Sequence, residues 1–283
     1  MNLKTKIDDF GTEDTYKLYR TIYEILHPTI SKKNISNYKI IIQENLIPLR
    51  IFYPKKISKI DKIIIYIHGQ TWITNGRKNY TEVCSEIVKE TNSLLIALDY
   101  ELKTKYEETL KECYETIEYL YQGLERIEIK KENIILMGDS IGASILANIS
   151  MGEKNLPIEK LILLYPALNL SFENIDQFPS IEQNNKLDLL TVKHLLTFKK
   201  KFIDKTTYKS PLQEKIKNNF PKTLMITGDL DPLRDEGKEF YNKRKKDKIS
   251  IKYVNIKFAS HGFLNSKDEE SIEECLKEIN KFI

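Results

Sequence analysis

From about residue 60 onward, short continuous apolar runs alternate with amphipathic stretches along the chain. The clearest run is Ile63-Ile64-Ile65-Tyr66-Ile67. A strand covered on both faces has no polar side to show, so it reads as an unbroken apolar segment. Largely apolar runs at 93–98, 133–137, 160–165 and 222–227 predict further strands, and so does the more mixed stretch 249–256. Helical spacing lies between them, over 80–90, 106–124, 141–151, 232–246 and 268–282. Strand–helix alternation of this regularity predicts a parallel sheet with helices on both faces.

Two segments depart from that rhythm. Near the start, Tyr16, Tyr19, Ile22, Tyr23 and Leu26 mark one face of a helix over 12–27, stopped by Pro28. Strand-like runs at 38–43 and 47–53, split by a short polar break, predict an antiparallel hairpin. Late in the chain, residues 168–215 are polar and rich in Asn and Lys, with weak helical signals around 189–203. The pattern therefore predicts a single α/β domain over 1–283: a mostly parallel sheet with an antiparallel start, and a helical cap over one edge.

Composition mostly excludes. Lys+Arg number 45 against 41 Asp+Glu, a net charge of +4, and only 6 of the cations are Arg. That is not the footprint of a nucleic-acid binder. Cys84, Cys113 and Cys275 are far apart and show no CxxC or Cys/His cluster, so neither a disulfide framework nor a zinc site is expected. No apolar run approaches the roughly 18 residues of a membrane span. The first residues hold no apolar core of signal-peptide length. With reduced thiols, these features predict a cytoplasmic protein. Glycine is scarce, 10 in 283 residues, where roughly 7% is usual. Each glycine that remains is therefore a pointer.

Two glycines frame Gly138-Asp139-Ser140-Ile141-Gly142, directly after the strand at 133–137 and directly before a helical stretch. Gly-x-Ser-x-Gly between strand and helix is the nucleophile elbow, a sharp turn that exposes the serine hydroxyl above a sheet. Side chains at 138 and 142 would collide there. A serine nucleophile needs a base and an orienting acid. Two histidines follow it. His194 lies on a helical pattern in the insertion, whereas His261, in Ala259-Ser260-His261-Gly262-Phe263, follows the last strand on the same sheet edge as Ser140. His261 is the better candidate. For the acid, Asp231 is best placed, because Pro232 would open the next helix; Asp229 and Asp235 are the alternatives. An oxyanion needs N–H donors. The N–H of Ile141 is one, and the loop His68-Gly69-Gln70-Thr71-Trp72 after the strand at 63–67 offers Gly69, Gln70 and Thr71.

The ordered set resembles the α/β-hydrolase fold, and within it the hormone-sensitive-lipase-like (acetyl esterase) family. It consists of His-Gly-x-x-Trp at 68–72, Asp99-Tyr100-Glu101-Leu102, Gly-Asp-Ser-x-Gly, Asp-Pro-Leu-Arg-Asp-Glu-Gly at 231–237 and Ser-His-Gly-Phe at 260–263. The resemblance spans about 38–283 and implies a triad of Ser140, Asp231 and His261, with cap elements at about 1–35 and 168–213. It implies a serine carboxylesterase acting on small or short-acyl esters through an acyl-Ser140 intermediate. No cofactor or metal is implied, the partner is a small-molecule ester, and a homodimer through the last strand is the family's habit. An amidase or peptidase could run on the same triad, and a non-catalytic small-molecule-binding protein could keep the same shell. Three departures stand out. Gln70 and Thr71 replace family glycines, Ile141 replaces a smaller residue and would narrow the acyl pocket, and Glu101 replaces an arginine expected to tether its segment.

Overall fold

The structure is a computed structural model that describes residues 13–26, 37–40, 47–54, 60–69, 77–103, 105–152, 156–172, 174–185, 190–204, 208, 210–215 and 220–283. Its strands are β1 (Asn37–Ile40), β2 (Leu49–Phe52), β3 (Ile63–Ile67), β4 (Leu94–Leu98), β5 (Ile134–Asp139), β6 (Lys160–Leu164), β7 (Lys222–Gly228) and β8 (Ile251–Ile256). They form one sheet in the order β1-β2-β4-β3-β5-β6-β7-β8. β3 to β8 run parallel, and β2 is antiparallel to both of its neighbours, as the hairpin pattern predicts. The predicted end of the first hairpin strand, at 41–43, lies outside the described residues.

The helices are α1 (Glu13–Leu26), α2 (Arg77–Thr91), α3 (Tyr106–Arg126), α4 (Ile141–Met151), α5 (Pro179–Gln183), α6 (Val192–Phe198), α7 (Arg234–Lys246) and α8 (Glu269–Phe282). Strand side chains alternate between two faces. Accordingly Ile63, Ile65 and Ile67 enter one core with residues of α1, α3, α4 and α7. Ile64 and Tyr66 enter a second core with residues of α2 and α8. All five residues of β3 and all six of β5 are buried, which is why both read as unbroken apolar runs. Each fully buried Ile or Leu contributes roughly 1.5–3 kcal/mol, so the central strands fix the sheet.

The tyrosine face of α1 is a packing face at Tyr19. Its ring lies over Gly123 of α3, where a Cβ would stand 1.7 Å from the ring, and its hydroxyl donates to the Tyr119 carbonyl at 2.9 Å. In the insertion, α5 was not expected, and α6 runs into a π-turn at Lys199–Ile203. His194 has a local role, donating its N–H to Thr191 Oγ1 and accepting the Thr191 N–H at Nδ1, both at 3.3 Å. The pair caps α6.

The segment that carries Glu101 is held from another strand, at Asp99. Arg50 on β2 donates from Nε to Asp99 Oδ1 at 2.6 Å and from Nη1 to Thr81 Oγ1 at 3.0 Å. Asp99 is buried. Arg50→Met is therefore expected to strand a buried carboxylate and to cost roughly 3 kcal/mol. The double variant with Asp99→Leu should recover most of that loss, as read by urea unfolding.

Candidate active site

β3 and β5 are neighbours, with Ile67 opposite Gly138, although β4 lies between them in sequence. The chain steps outward from β3 to β4 and then back past β3 to β5. The crevice beyond the carboxyl ends of strands at such a reversal is where open α/β sheets place ligands. His68 and Gly69 leave β3 there, beside Ser140 at the end of β5.

β5 ends at Asp139 and α4 begins at Ile141, so Ser140 alone makes the turn. Its backbone sits at φ 51°, ψ −117°, a conformation that costs a non-glycine residue about 1–3 kcal/mol. Neighbours hold it there. The Ser140 N–H donates to the Leu164 carbonyl at 2.9 Å, and the Ser140 carbonyl accepts from Ser144 at 3.1 Å and Ala167 at 3.3 Å. The approach of α4 to β3 requires glycine: a Cβ on Gly142 would lie 2.0 Å from the Ile67 carbonyl oxygen and 2.8 Å from that of His68.

Ser140 Oγ lies 2.9 Å from His261 Nε2, and His261 Nδ1 lies 2.9 Å from Asp231 Oδ2. With Nδ1–H donating to the carboxylate, Nε2 is left to accept the serine proton. Asp231 is wholly buried, and its Oδ1 accepts the Leu233 N–H at 2.7 Å. That bond makes a turn of residues 231–233, so α7 starts at Arg234 and Pro232 precedes it. This corrects the expectation that Pro232 opens the helix. On the other side, Tyr165 meets the His261 ring edge-on at 5.2 Å, and the Leu230 N–H donates to the Ala259 carbonyl at 2.9 Å, joining the acid loop to the histidine loop. The alternative acids are engaged elsewhere. Asp235 accepts from Arg234 Nε at 2.9 Å and from the Ser180 N–H at 2.8 Å, and Asp229 accepts from Asn255 at 3.3 Å.

Beneath the serine lies a polar cluster that no local pattern in the sequence marks. Asp139 is buried, and its Oδ1 accepts from Tyr66 at 2.6 Å and from the Gly69 N–H at 2.8 Å, while Oδ2 accepts from Tyr80 at 2.8 Å. Burial raises the Asp139 carboxyl above the usual range, and these three donors pull it back. A carboxylate ending a fully buried strand must find donors, and that requirement, rather than a motif, is the available signal. His68 is buried between the rings of Tyr80 and Tyr100, at 4.8 and 4.9 Å, and burial lowers its pKa. Burial thus disfavours its charged form, and the ring serves as packing between the two tyrosines.

The Gly69 N–H, counted among the oxyanion donors from the sequence, is thus engaged by Asp139. Gln70 and Thr71 lie outside the described residues. Ile141 is buried as the first residue of α4, where an α-helix leaves its leading N–H groups without intrahelical partners. Among the described residues no group of three or more His, Cys, Asp or Glu could hold a metal ion, and no helix is long and apolar enough to cross a membrane.

The sequence model of the alpha/beta hydrolase fold family matches residues 64–265, and the chain belongs to that family. An arylesterase of Saccharolobus solfataricus is 21% identical over 275 residues, covering 93% of this chain and 89% of its own. An ethyl acetate hydrolase of Pseudomonas putida is 21% identical over 231 residues, with 77% and 71% covered. The solved hyperthermophilic esterase of the archaeon Pyrobaculum calidifontis superposes with a TM-score of 0.75 at 20% identity, over 99% of this chain and 90% of that one. This last likeness establishes a shared fold.

Proposed function

We propose that the chain is a serine carboxylesterase cleaving small or short-acyl esters through an acyl-Ser140 intermediate. One observation carries the reading: the strained Ser140, His261 and the buried Asp231 form a continuous hydrogen-bonded chain at the sheet's carboxyl edge. The names of the arylesterase and ethyl acetate hydrolase relatives point the same way.

The roles follow from the geometry. Ser140 Oγ attacks the ester carbonyl carbon while its proton passes to His261 Nε2. Asp231 holds the Nδ1–H tautomer and stabilises the imidazolium that forms. The carbonyl electrons move to oxygen, held by the N–H of Ile141 at the positive end of α4 and by N–H groups of Gln70 and Thr71. Gly69 places that loop through Asp139. When the electrons return, the alkoxide leaves with the proton from His261. Water then attacks the acyl group, gives a proton to His261, and the acid departs as Ser140 regains its hydrogen. Residues 1–35 and 168–213 serve as the cap that selects the substrate. The buried thiols Cys84, Cys113 and Cys275 suit a reducing, cytoplasmic setting.

A series of p-nitrophenyl esters from acetyl upward tests this. We expect kcat/KM to peak at the short acyl chains, because Ile141 narrows the pocket. No turnover above the buffer rate with any member would defeat the reading. Within the same assay, Asp231→Asn should lower kcat by roughly 10⁴ by favouring the wrong tautomer. Asp229→Asn should leave kcat within about threefold.

A further inference from the structure

Glu236 takes no part in the chemistry above, yet it is a carboxyl group at 1% exposure in the first turn of α7. Its Oε1 accepts the N–H of Leu168 at 2.6 Å and of Asn169 at 3.3 Å. Its Oε2 is buried with no partner among the described residues. Leu168 is where the chain leaves the sheet for the insertion. The Leu168 carbonyl accepts from Ser210 Oγ at 2.6 Å and from the Leu212 N–H at 3.3 Å, at the insertion's far end. One residue thus joins both ends of the insertion, and Glu236 fastens that residue to α7. Parallel bonds tie the insertion to the loop carrying Asp231. Ser180 Oγ in α5 donates to the Pro232 carbonyl at 2.8 Å, and Asn184 Nδ2, just past α5, donates to the Asp231 carbonyl at 3.2 Å.

We propose that Glu236 is a positioning residue that locks the root of the 168–213 insertion to the loop carrying Asp231, so that cap and triad are set as one unit. The kinetic part of this proposal rests on the esterase reading; the mechanical part does not. Burial pushes the Glu236 carboxyl up to about 8, against the pull of its two N–H donors, with Asp231 raising it further and His261 lowering it. Tyr208 of the insertion also faces it. Burial and the nearby Asp231 carboxylate thus favour the uncharged form of Glu236 over a second buried carboxylate beside Asp231.

Amide hydrogen exchange and p-nitrophenyl acetate turnover on Glu236→Ala and Glu236→Gln decide the matter, both read well below the melting temperature. Glu236→Ala should lose protection together at 168–169 and 230–235 while β3 and β5 keep theirs, and kcat should fall at least tenfold. Glu236→Gln keeps an oxygen for the two N–H groups and should restore both. Wild-type exchange and kcat in Glu236→Ala, or loss of protection at only one of the two segments, would overturn the proposal. Should wild type turn over no faster than Ser140→Ala, the esterase reading fails and the exchange pattern still decides the lock.

If Glu236→Ala does not fold, the isosteric Glu236→Gln gives a second reading by thermal melts across pH. A carboxyl whose folded pKa is raised stabilises the fold below its unfolded pKa, and that stability is lost as pH rises through the folded pKa. The Tm of Glu236→Gln relative to wild type should therefore climb by several degrees between pH 5 and pH 8 and then level off. A pH-independent difference would contradict an uncharged Glu236.

Discussion

Ser140→Ala is expected to lower kcat for p-nitrophenyl acetate by on the order of 10⁴–10⁶-fold while leaving the fold intact. The loss is this large because, in the proposed mechanism, acylation and deacylation both pass through Ser140 Oγ, placed 2.9 Å from His261 Nε2. The fold survives because alanine keeps the Cβ and the backbone bonds that hold the turn, so the Tm should move by only a few degrees. Nucleophile, base and acid act as a unit, so their losses do not add. Combining Ser140→Ala with Asp231→Asn should therefore be no worse than Ser140→Ala alone. A double variant slower by a further factor near 10⁴ would mean that Asp231 acts outside this chain of bonds.

Gly142→Ala should be the most damaging substitution for its size. A methyl group there meets backbone atoms at 2.0, 2.7 and 2.8 Å, all from Ile67 and His68. These cannot rotate away as side chains would. Either α4 lifts from β3 or the end of β3 bends, and both displace Ser140 together with His68 and Gly69. The expected cost is at least about 4 kcal/mol, well beyond ordinary overpacking, with esterase turnover falling by a further ~10² or more in whatever fraction folds. Gly152→Ala is the control. Its backbone, at φ −59° and ψ 166°, is an extended one open to any residue, and its nearest contact would be 3.3 Å, so it should shift stability by less than about 1 kcal/mol. Thermal melts and denaturant midpoints read both.

Features set by local chemistry were readable along the chain. The central strands were plain because burial on both faces leaves only apolar residues, and the elbow was plain because glycine is scarce elsewhere. His261 and Asp231 followed from their places after β8 and β7. What escaped depends on residues distant in sequence. Asp139 meets Tyr66 and Tyr80 across 73 and 59 positions, and Arg50 reaches Asp99 across 49. Glu236 stands inside the Asp-Pro-Leu-Arg-Asp-Glu-Gly motif, but its burial and its bonds to Leu168 and Asn169 arise only when the insertion folds onto α7. α5 is five residues long, too short for helical periodicity to show. The start of α7 was misplaced because the carboxylate of Asp231 builds a turn where proline alone suggested a helix.

The central claim is that Ser140 is the nucleophile of an acyl-transfer site, and a stoichiometric label tests it most directly. Incubation with a fluorophosphonate ester followed by intact-mass and peptide mass spectrometry should find one phosphonyl group per chain, carried by Ser140. Ser140→Ala should carry none, and His261→Ala should label far more slowly. A label on another residue, or a wild-type chain that stays unlabelled while folded, would contradict the account.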